Sequence, residues 1–149
     1  MKMNMNLYFY SFILILTITL LVYGHIKEQP IEQIRKNIFL YGFLTSSIYG
    51  VIGHLFYAKN IRKSMNWGSS KGVVTLQREL GIVQLSMLII GIVCYAKKDF
   101  KSCYVLAVVW SIFILLAGIN HFIVGNKSPI AFLDIVQGAV MFFTFYGEL

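Results

Sequence analysis

Five ionisable side chains lie inside otherwise apolar segments of this 149-residue sequence. They are His54, Arg78, Glu79, His121 and Asp134. Such a group inside a membrane-spanning segment costs about 2.5 to 3.5 kcal/mol on insertion scales, so each is a functional candidate. Imidazoles and carboxylates bind metal ions, hold polar ligands or transfer protons. The candidate chemistry of this chain therefore concentrates in very few positions.

Four of these residues share a similar depth along the chain's apolar segments. They are His54, Glu79, His121 and Asp134, and each lies four to seven residues from a helix end expected from the sequence. At 1.5 Å per residue, that distance corresponds to about 6 to 11 Å. In a five-helix chain all four ends meet at one membrane face, which also holds the N-terminus. We call this face side A and the opposite face side B.

Two imidazoles and two carboxylates match the nitrogen and oxygen ligands of zinc, iron or manganese. We therefore expect a metal or small-ligand site near side A. Its metal ligands would be His54, Glu79, His121 and Asp134, and Gln77 would add a ligand-binding amide. Glu79 or Asp134 is the candidate general base if a metal-bound water remains. The cofactor stays open: a divalent metal is one candidate, and haem held by His54 and His121 is a weaker one.

Two interpretations without a cofactor stay open. In the first, the cluster is a buried hydrogen-bond network that fixes helix register in a non-enzymatic membrane subunit or a lipid-binding module. In the second, the same residues form a relay in a proton-coupled carrier. The second is weaker because the polar residues stop near one face and no helix break interrupts the middle. Whether the protein is an enzyme is left open.

The composition indicates where the chain resides. Hydrophobic residues make up 58% of the sequence and charged residues only 13%, whereas soluble domains carry about 25% charged residues. The net charge of +7 fits anionic lipid headgroups better than nucleic acid. We expect the lipid bilayer as the main partner, with a membrane-protein partner or a second copy as further candidates. Two cysteines exclude a disulfide framework as the basis of the fold.

Charged residues divide the chain into five apolar stretches. These predict an all-α integral membrane protein with five transmembrane helices in a single domain, residues 1–149. Helices two to five are expected to form a four-helix core. The expected helices cover about 7–24, 37–58, 73–96, 102–125 and 129–147. The polar connector 25–36 is expected to lie along the membrane interface.

Helical spacing predicts an inward face for the second, fourth and fifth helices. The second helix carries a small-residue stripe that lets a neighbouring backbone approach closely. This stripe is Gly42, Ser46 and Gly50, and it ends at His54. The face of the fourth helix is Trp110, Ile114, Ala117, Gly118, His121 and Gly125, and that of the fifth is Asp134, Gln137, Gly138 and Met141.

The third helix has polar residues on two opposite faces. One face holds Gln77, Gly81, Gln84, Leu88 and Gly91. Glu79 and Ser86 point nearly the other way. This pattern predicts a helix that packs on both sides, at the centre of the bundle.

The stretch from Gly50 to Ile135 resembles a family of small bacterial and archaeal integral membrane proteins of unknown function. The resemblance rests on Gly-x-x-Gly-His at 50–54, Gln-x-Glu-x-Gly at 77–81, Gly-x-x-His at 118–121 and Asp-Ile at 134–135. It implies a compact helical bundle in the bacterial inner (plasma) membrane and no particular activity. It also implies a cytoplasmic side B, although the lysine and arginine count ties at six on each side.

Overall fold

The computed structural model describes residues 5–60, 71–123 and 129–148, and the elements in these ranges are all helices. Helix α1 is Met5–Ile26, and α2 runs without a break through Ile31–Ile38, a π-helical segment Phe39–Leu44, and Thr45–Phe56. Helix α3 is Lys71–Ala96, α4 is Phe100–Ile123 and α5 is Pro129–Phe145, followed by the 3-10 turn Tyr146–Glu148. The end expected for the fourth helix, residues 124–125, lies outside the described residues.

Three of these helices are long and apolar enough to cross a membrane: Ile31–Phe56, Lys71–Ala96 and Phe100–Ile123. Two shorter apolar helices, Ser11–Ile26 and Pro129–Phe145, accompany them. The expected all-helical fold is therefore confirmed, and its apolar helices are compatible with an integral membrane protein.

The second helix begins earlier than the sequence suggested. Residues 31–36, expected as part of an interfacial connector, form the first turns of α2. Ile34 and Ile38 are buried on one face of these turns. The opposite side carries an ion pair in which Lys36 Nζ lies 2.6 Å from Glu32. The segment is an amphipathic helix, so its charges mark one face and not a loop.

The helices pack in a ring of sequential neighbours. Helix α1 contacts α2 and α5, α2 packs against α3, α3 contacts α4, and α4 packs extensively against α5. Neighbours in sequence run antiparallel, so α2 and α4 end at side A, where α3 and α5 begin. This arrangement gives every helix one end at each end of the bundle, and the names side A and side B denote these two ends from here on.

The connected apolar core lies toward side B and is built from α2, α3, α4 and α5. Aromatic rings dominate it: Phe39 stacks on Phe43 with ring centroids 4.8 Å apart, and Phe43 meets Trp110 edge-on at 6.4 Å. Tyr104 packs on Phe145 at 5.4 Å. Residues of α1 only line the margin of this cluster.

Helices α1 and α3 end at side B with the same turn. Glu28 and Lys98 adopt left-handed backbone conformations, with φ of 51° and 60°. In both turns the next residue donates its N–H to the carbonyl five residues earlier, at 2.9 Å, which is the Schellman pattern of helix termination. After the second turn, Asp99 Oδ1 accepts the Ser102 N–H at 3.2 Å and caps α4.

Helix α3 does not lie at the centre of the bundle, so that expectation is wrong. Its buried residues are Gln77, Gly81, Gln84, Leu88 and Gly91, one of the two polar faces that the sequence predicted to be packed. The opposite face is exposed and mostly apolar, with Ile82, Val83, Ile89 and Ile90 among its residues. In a bilayer an apolar face can remain against lipid, since lipid tails are as apolar as another helix.

Candidate functional site

A hydrogen bond near side A joins α2, which carries His54, to α3, which carries Gln77. His54 Nδ1 lies 2.5 Å from Gln77 Oε1. The amide oxygen can only accept, so the imidazole donates from Nδ1 and keeps Nε2 as its acceptor. Gln77 is fully enclosed, with 1% of its surface exposed, while His54 is half-buried. The pair therefore presents one imidazole nitrogen that can accept a proton or hydrogen bond.

Glycines on α2 and α3 make room for this pair. A Cβ on Gly81 would lie 2.8 Å from Leu55 and 3.0 Å from the Cβ of His54. A Cβ on Gly50 would overlap the amide of Gln84. The small-residue stripe of α2 therefore accommodates side chains, and not the neighbouring backbone that the sequence suggested. Gly42 follows the same rule, because it faces Thr17 Oγ1 of α1.

The α4–α5 pair is closer, with backbone against backbone. A Cβ on Gly138 would lie 2.7 Å from the Leu115 nitrogen, and one on Gly118 would lie 2.8 Å from the Ala131 carbonyl oxygen. Such close approach is typical of glycine contacts between membrane helices. It fixes the register of α4 on α5 and so the relative level of their polar side chains.

This register brings His121 and Asp134 to nearly one level. Both are buried, with 7% and 8% of their surfaces exposed. Gly118 packs between Ala131 and Ile135, so Asp134 lies level with Gly118, one turn from His121. The predicted inward faces of α4 and α5 are confirmed by burial of these residues.

The two helix pairs place their polar groups at a common depth. Helices α2 and α4 run in the same direction and meet where Phe43 contacts Trp110. His54 follows Phe43 by 11 residues and His121 follows Trp110 by 11 residues. Each imidazole therefore lies about 16 Å beyond the aromatic contact, toward side A. His54, Gln77, His121 and Asp134 share this layer, which we call the side-A polar layer.

Glu79 and Arg78 do not belong to this layer. Both are exposed, and Glu79 points nearly opposite to Gln77 on α3. Within residues 5–60, 71–123 and 129–148, no group of three or more histidines, cysteines or carboxylates could hold a metal ion. The expected metal site of His54, Glu79, His121 and Asp134 is therefore not supported.

The sequence as a whole matches a model of a family of unknown function, DUF6790, over residues 3–146. The chain belongs to this family. The expected resemblance to a family of unknown function is thus confirmed, while the motif pattern and the bacterial or archaeal origin stay predictions. No curated protein and no solved structure matches the chain.

Reasoning from the sequence placed Gln84, Trp110 and Gln137 on helix faces but did not select them as site residues, and it missed Ser47. Ser47, Gln84, Trp110 and Gln137 are all buried, with 1 to 5% of their surfaces exposed. Each carries a side-chain atom that has no hydrogen-bond partner among the described residues. A signal was present, because polar residues near the middle of an apolar helix are costly whether or not they ionise.

Proposed function

We propose that this member of the family is a multi-pass membrane protein that spans the bilayer five times and binds a small polar ligand in the side-A polar layer. The observation that carries the proposal is the common depth of the His54–Gln77 pair and of buried His121 and Asp134. We further propose a bacterial plasma membrane, with side B in the cytoplasm.

Helix lengths support five crossings. Helix α1 has 22 residues and α5 has 17, which correspond to about 33 Å and 26 Å at 1.5 Å per residue. A hydrocarbon core of about 30 Å accepts both lengths with small adjustments of tilt or thickness. The two shorter apolar helices therefore complete a bundle whose other three helices are long enough by themselves.

The number of crossings is testable with reporters at both termini. Five crossings place the N-terminus at side A and the C-terminus at side B. A C-terminal green fluorescent protein should fluoresce, and a C-terminal alkaline phosphatase should be inactive, if side B is cytoplasmic. An N-terminal tag should be accessible only from outside. Both termini on the same side would overturn the five-crossing arrangement.

The donor set favours a small polar ligand over a metal ion. The layer supplies the imidazoles of His54 and His121, the Gln77 amide and one buried carboxylate, Asp134. These groups come from four helices, as in other sites built inside helical bundles. Glu79, an expected ligand and candidate general base, faces away from them. A catalytic reaction at this site would therefore have Asp134 as its candidate general base.

Native mass spectrometry of the protein in lipid nanodiscs tests ligand binding. The wild-type protein should retain a small-molecule mass that Asp134→Asn and His54→Ala have lost. Glu79→Gln is the matched control, since its side chain is exposed, and it should retain the same mass. Identical spectra for all four proteins, with equal thermal stability, would overturn the proposed ligand site.

A second function has support from the same hydrogen bond. Because His54 and Gln77 bond directly across α2 and α3, the layer also acts as a network that fixes helix register in a non-enzymatic membrane subunit. In that case Asp134→Asn lowers the folding yield in proportion to any functional loss. Loss of the bound mass at undiminished stability separates ligand binding from this role.

A further inference from the structure

A second set of polar groups lies deeper in the bundle than the side-A polar layer. Five buried side-chain atoms have no hydrogen-bond partner within the described residues. They are Ser47 Oγ, Gln84 Oε1, Trp110 Nε1, and both Oε1 and Nε2 of Gln137. Buried polar atoms are almost always paired, so a group of five on four helices requires an explanation.

All four residues lie on helix faces that also carry residues of the apolar core. Ser47 follows Phe43 by one helical turn, and Gln84 precedes Leu88 by one turn. Trp110 is itself part of the common core, together with Phe43 and Leu88. Residues one turn apart share a helix face. Ser47 and Gln84 therefore lie on the core-facing sides of α2 and α3.

Gln137 likewise lies on the core-facing side of α5. It precedes Met141, a core residue of α5, by one turn. Only 1% of its surface is exposed. Its neighbour Gly138 packs on Leu115 of α4, which holds α5 tightly in this register.

These residues lie near the middle of their helices. Gln84 is 13 residues from the start of α3 and 12 from its end. Gln137 is 8 residues from each end of α5. Trp110 is 10 residues from the start of α4 and 13 from its end. Their depth therefore corresponds to the middle of the bilayer, where water satisfies no polar group at the lipid face.

The chemistry of the set is neutral and two-sided. A hydroxyl and two amides both donate and accept hydrogen bonds, and the indole N–H only donates. None of the four side chains carries a charge, and a charged ligand would lose its hydration without a counter-ion. The matching ligand is therefore a neutral molecule that has both a donor and an acceptor.

We infer that Ser47, Gln84, Trp110 and Gln137 form a second binding site, at the middle of the bundle, for a neutral hydrogen-bonding molecule of the amide or alcohol class. The two atoms of the Gln137 amide complement a primary amide, which pairs with it reciprocally. Water shares the same donor and acceptor chemistry. The site is separate from the side-A polar layer and uses none of its residues.

Cysteine labelling tests this site with a matched pair of positions. In a protein with Cys94→Ala and Cys103→Ser, Ser47→Cys places a thiol in the site, and Ile48→Cys places one on the exposed lipid-facing surface at the same depth. The neutral reagent methyl methanethiosulfonate should label Ser47→Cys about tenfold faster, because a thiol reacts through its hydrated thiolate. Equal rates would overturn the site.

Acetamide and acetate distinguish a neutral solute from other occupants. They have the same shape but differ in charge. Acetamide should slow the labelling of Ser47→Cys severalfold, and acetate should leave it unchanged. Protection by both solutes would overturn a neutral-solute site. Protection by neither would also overturn it and would leave water as the occupant.

Gln137→Leu tests the assignment of the amide. The variant keeps the approximate size of the side chain and removes both of its polar atoms. Acetamide protection should disappear while labelling of Ser47→Cys continues. Gln84→Leu supplies the same test if Gln137→Leu does not fold, as judged by thermal unfolding. Unchanged protection in a folded variant would overturn the assignment.

Discussion

The two halves of the bundle solve the packing problem differently. Toward side B, aromatic rings such as Phe39 and Phe43 fill the interior. Arg35 Nε donates to the Thr144 carbonyl at 2.8 Å, at the C-terminal end of α5, where a positive charge is favourable. Toward side A, the interior holds imidazole, amide and carboxylate groups above glycine contacts. One half is held together by close aromatic packing, and the other contains polar groups whose burial costs free energy.

This difference indicates which half carries function. In a bilayer, helices gain little from exchanging lipid contacts for other apolar contacts, so shape and close packing hold them together. The aromatic half supplies that packing. Polar groups buried without partners lower stability and are retained in natural proteins chiefly where they act on something. The side-A half is therefore where substitutions should affect function more than folding.

The largest expected effect is a loss of stability in the aromatic side-B half of the bundle. Phe43→Ala removes a fully buried ring that contacts Phe39 and Trp110. We expect a loss of about 2 to 4 kcal/mol in the free energy of unfolding, because the cavity cost persists in lipid. Reversible unfolding in bicelles measures it. Ile48→Ala, at an exposed position of the same helix, is the control, and an equal loss there would contradict the contrast between the halves.

A smaller effect separates the two helix pairs. Gly138→Ala places a Cβ against the Leu115 backbone, so we expect a loss of about 1 to 3 kcal/mol from overpacking. Gly50→Ala meets only the flexible Gln84 side chain and should cost less. Thermal unfolding of the two variants tests the order. A greater loss for Gly50→Ala would show that α2 and α3 are the closer pair.

The link between α2 and α3 should contribute less than packing. A double-mutant cycle of His54→Ala and Gln77→Leu isolates the bond between the two side chains. We expect a coupling of about 0.6 kcal/mol, the average for side-chain hydrogen bonds between membrane helices. Glu79→Gln should change the unfolding free energy by less than about 0.5 kcal/mol, as an exposed substitution does. A coupling energy of zero would show that this bond contributes nothing to stability and does not belong to the side-A polar layer.

The smallest effect lies in the side-B loop. Hydrogen bonds from the Ser102 side chain and backbone N–H, with a contribution from Lys101, lower the pKa of Asp99 below its usual value. Because this pKa is lower in the folded state, the ionised carboxylate stabilises the fold at pH values above the unfolded-state pKa of about 3.9. This stabilisation is lost as the pH falls through the folded-state pKa.

The melting temperature of the wild type minus that of Asp99→Asn should therefore be constant near neutral pH and shrink in acid. The asparagine keeps the capping acceptor and removes only the charge, so the difference reports the ionised carboxylate. Thermal unfolding at several pH values gives this curve. A difference that grows in acid would contradict the role of the charge.

Much of the orientation of the helices was predictable. Helical spacing identified the buried faces of α4 and α5. For α3 it gave two opposite polar faces, of which the one with Gln77, Gly81 and Gln84 is buried. The start of α2 was not, because its charged residues were counted as loop although they occupy one helix face. The outer position of α3 was also missed, since an apolar surface does not show whether lipid or protein covers it.

The candidate site was predictable only in part. Depth along the chain placed His54, His121 and Asp134 in one layer, and the structure gives them similar depths. Glu79 shared that depth but faces outward. The deeper residues Ser47 and Gln137 carried no charge to mark them, and their lack of partners is visible only once all helices are packed together.

The sequence by itself determined that this is an apolar helical chain, where its polar residues are scarce, and which face of most helices points inward. Those properties follow from composition and from a periodicity that acts within one helix. The tertiary structure decided which helices are neighbours, that His54 bonds Gln77, and that four uncharged residues are buried with polar atoms lacking partners within the described residues. These outcomes depend on register between segments, which glycine contacts and ring packing determine only after the segments assemble.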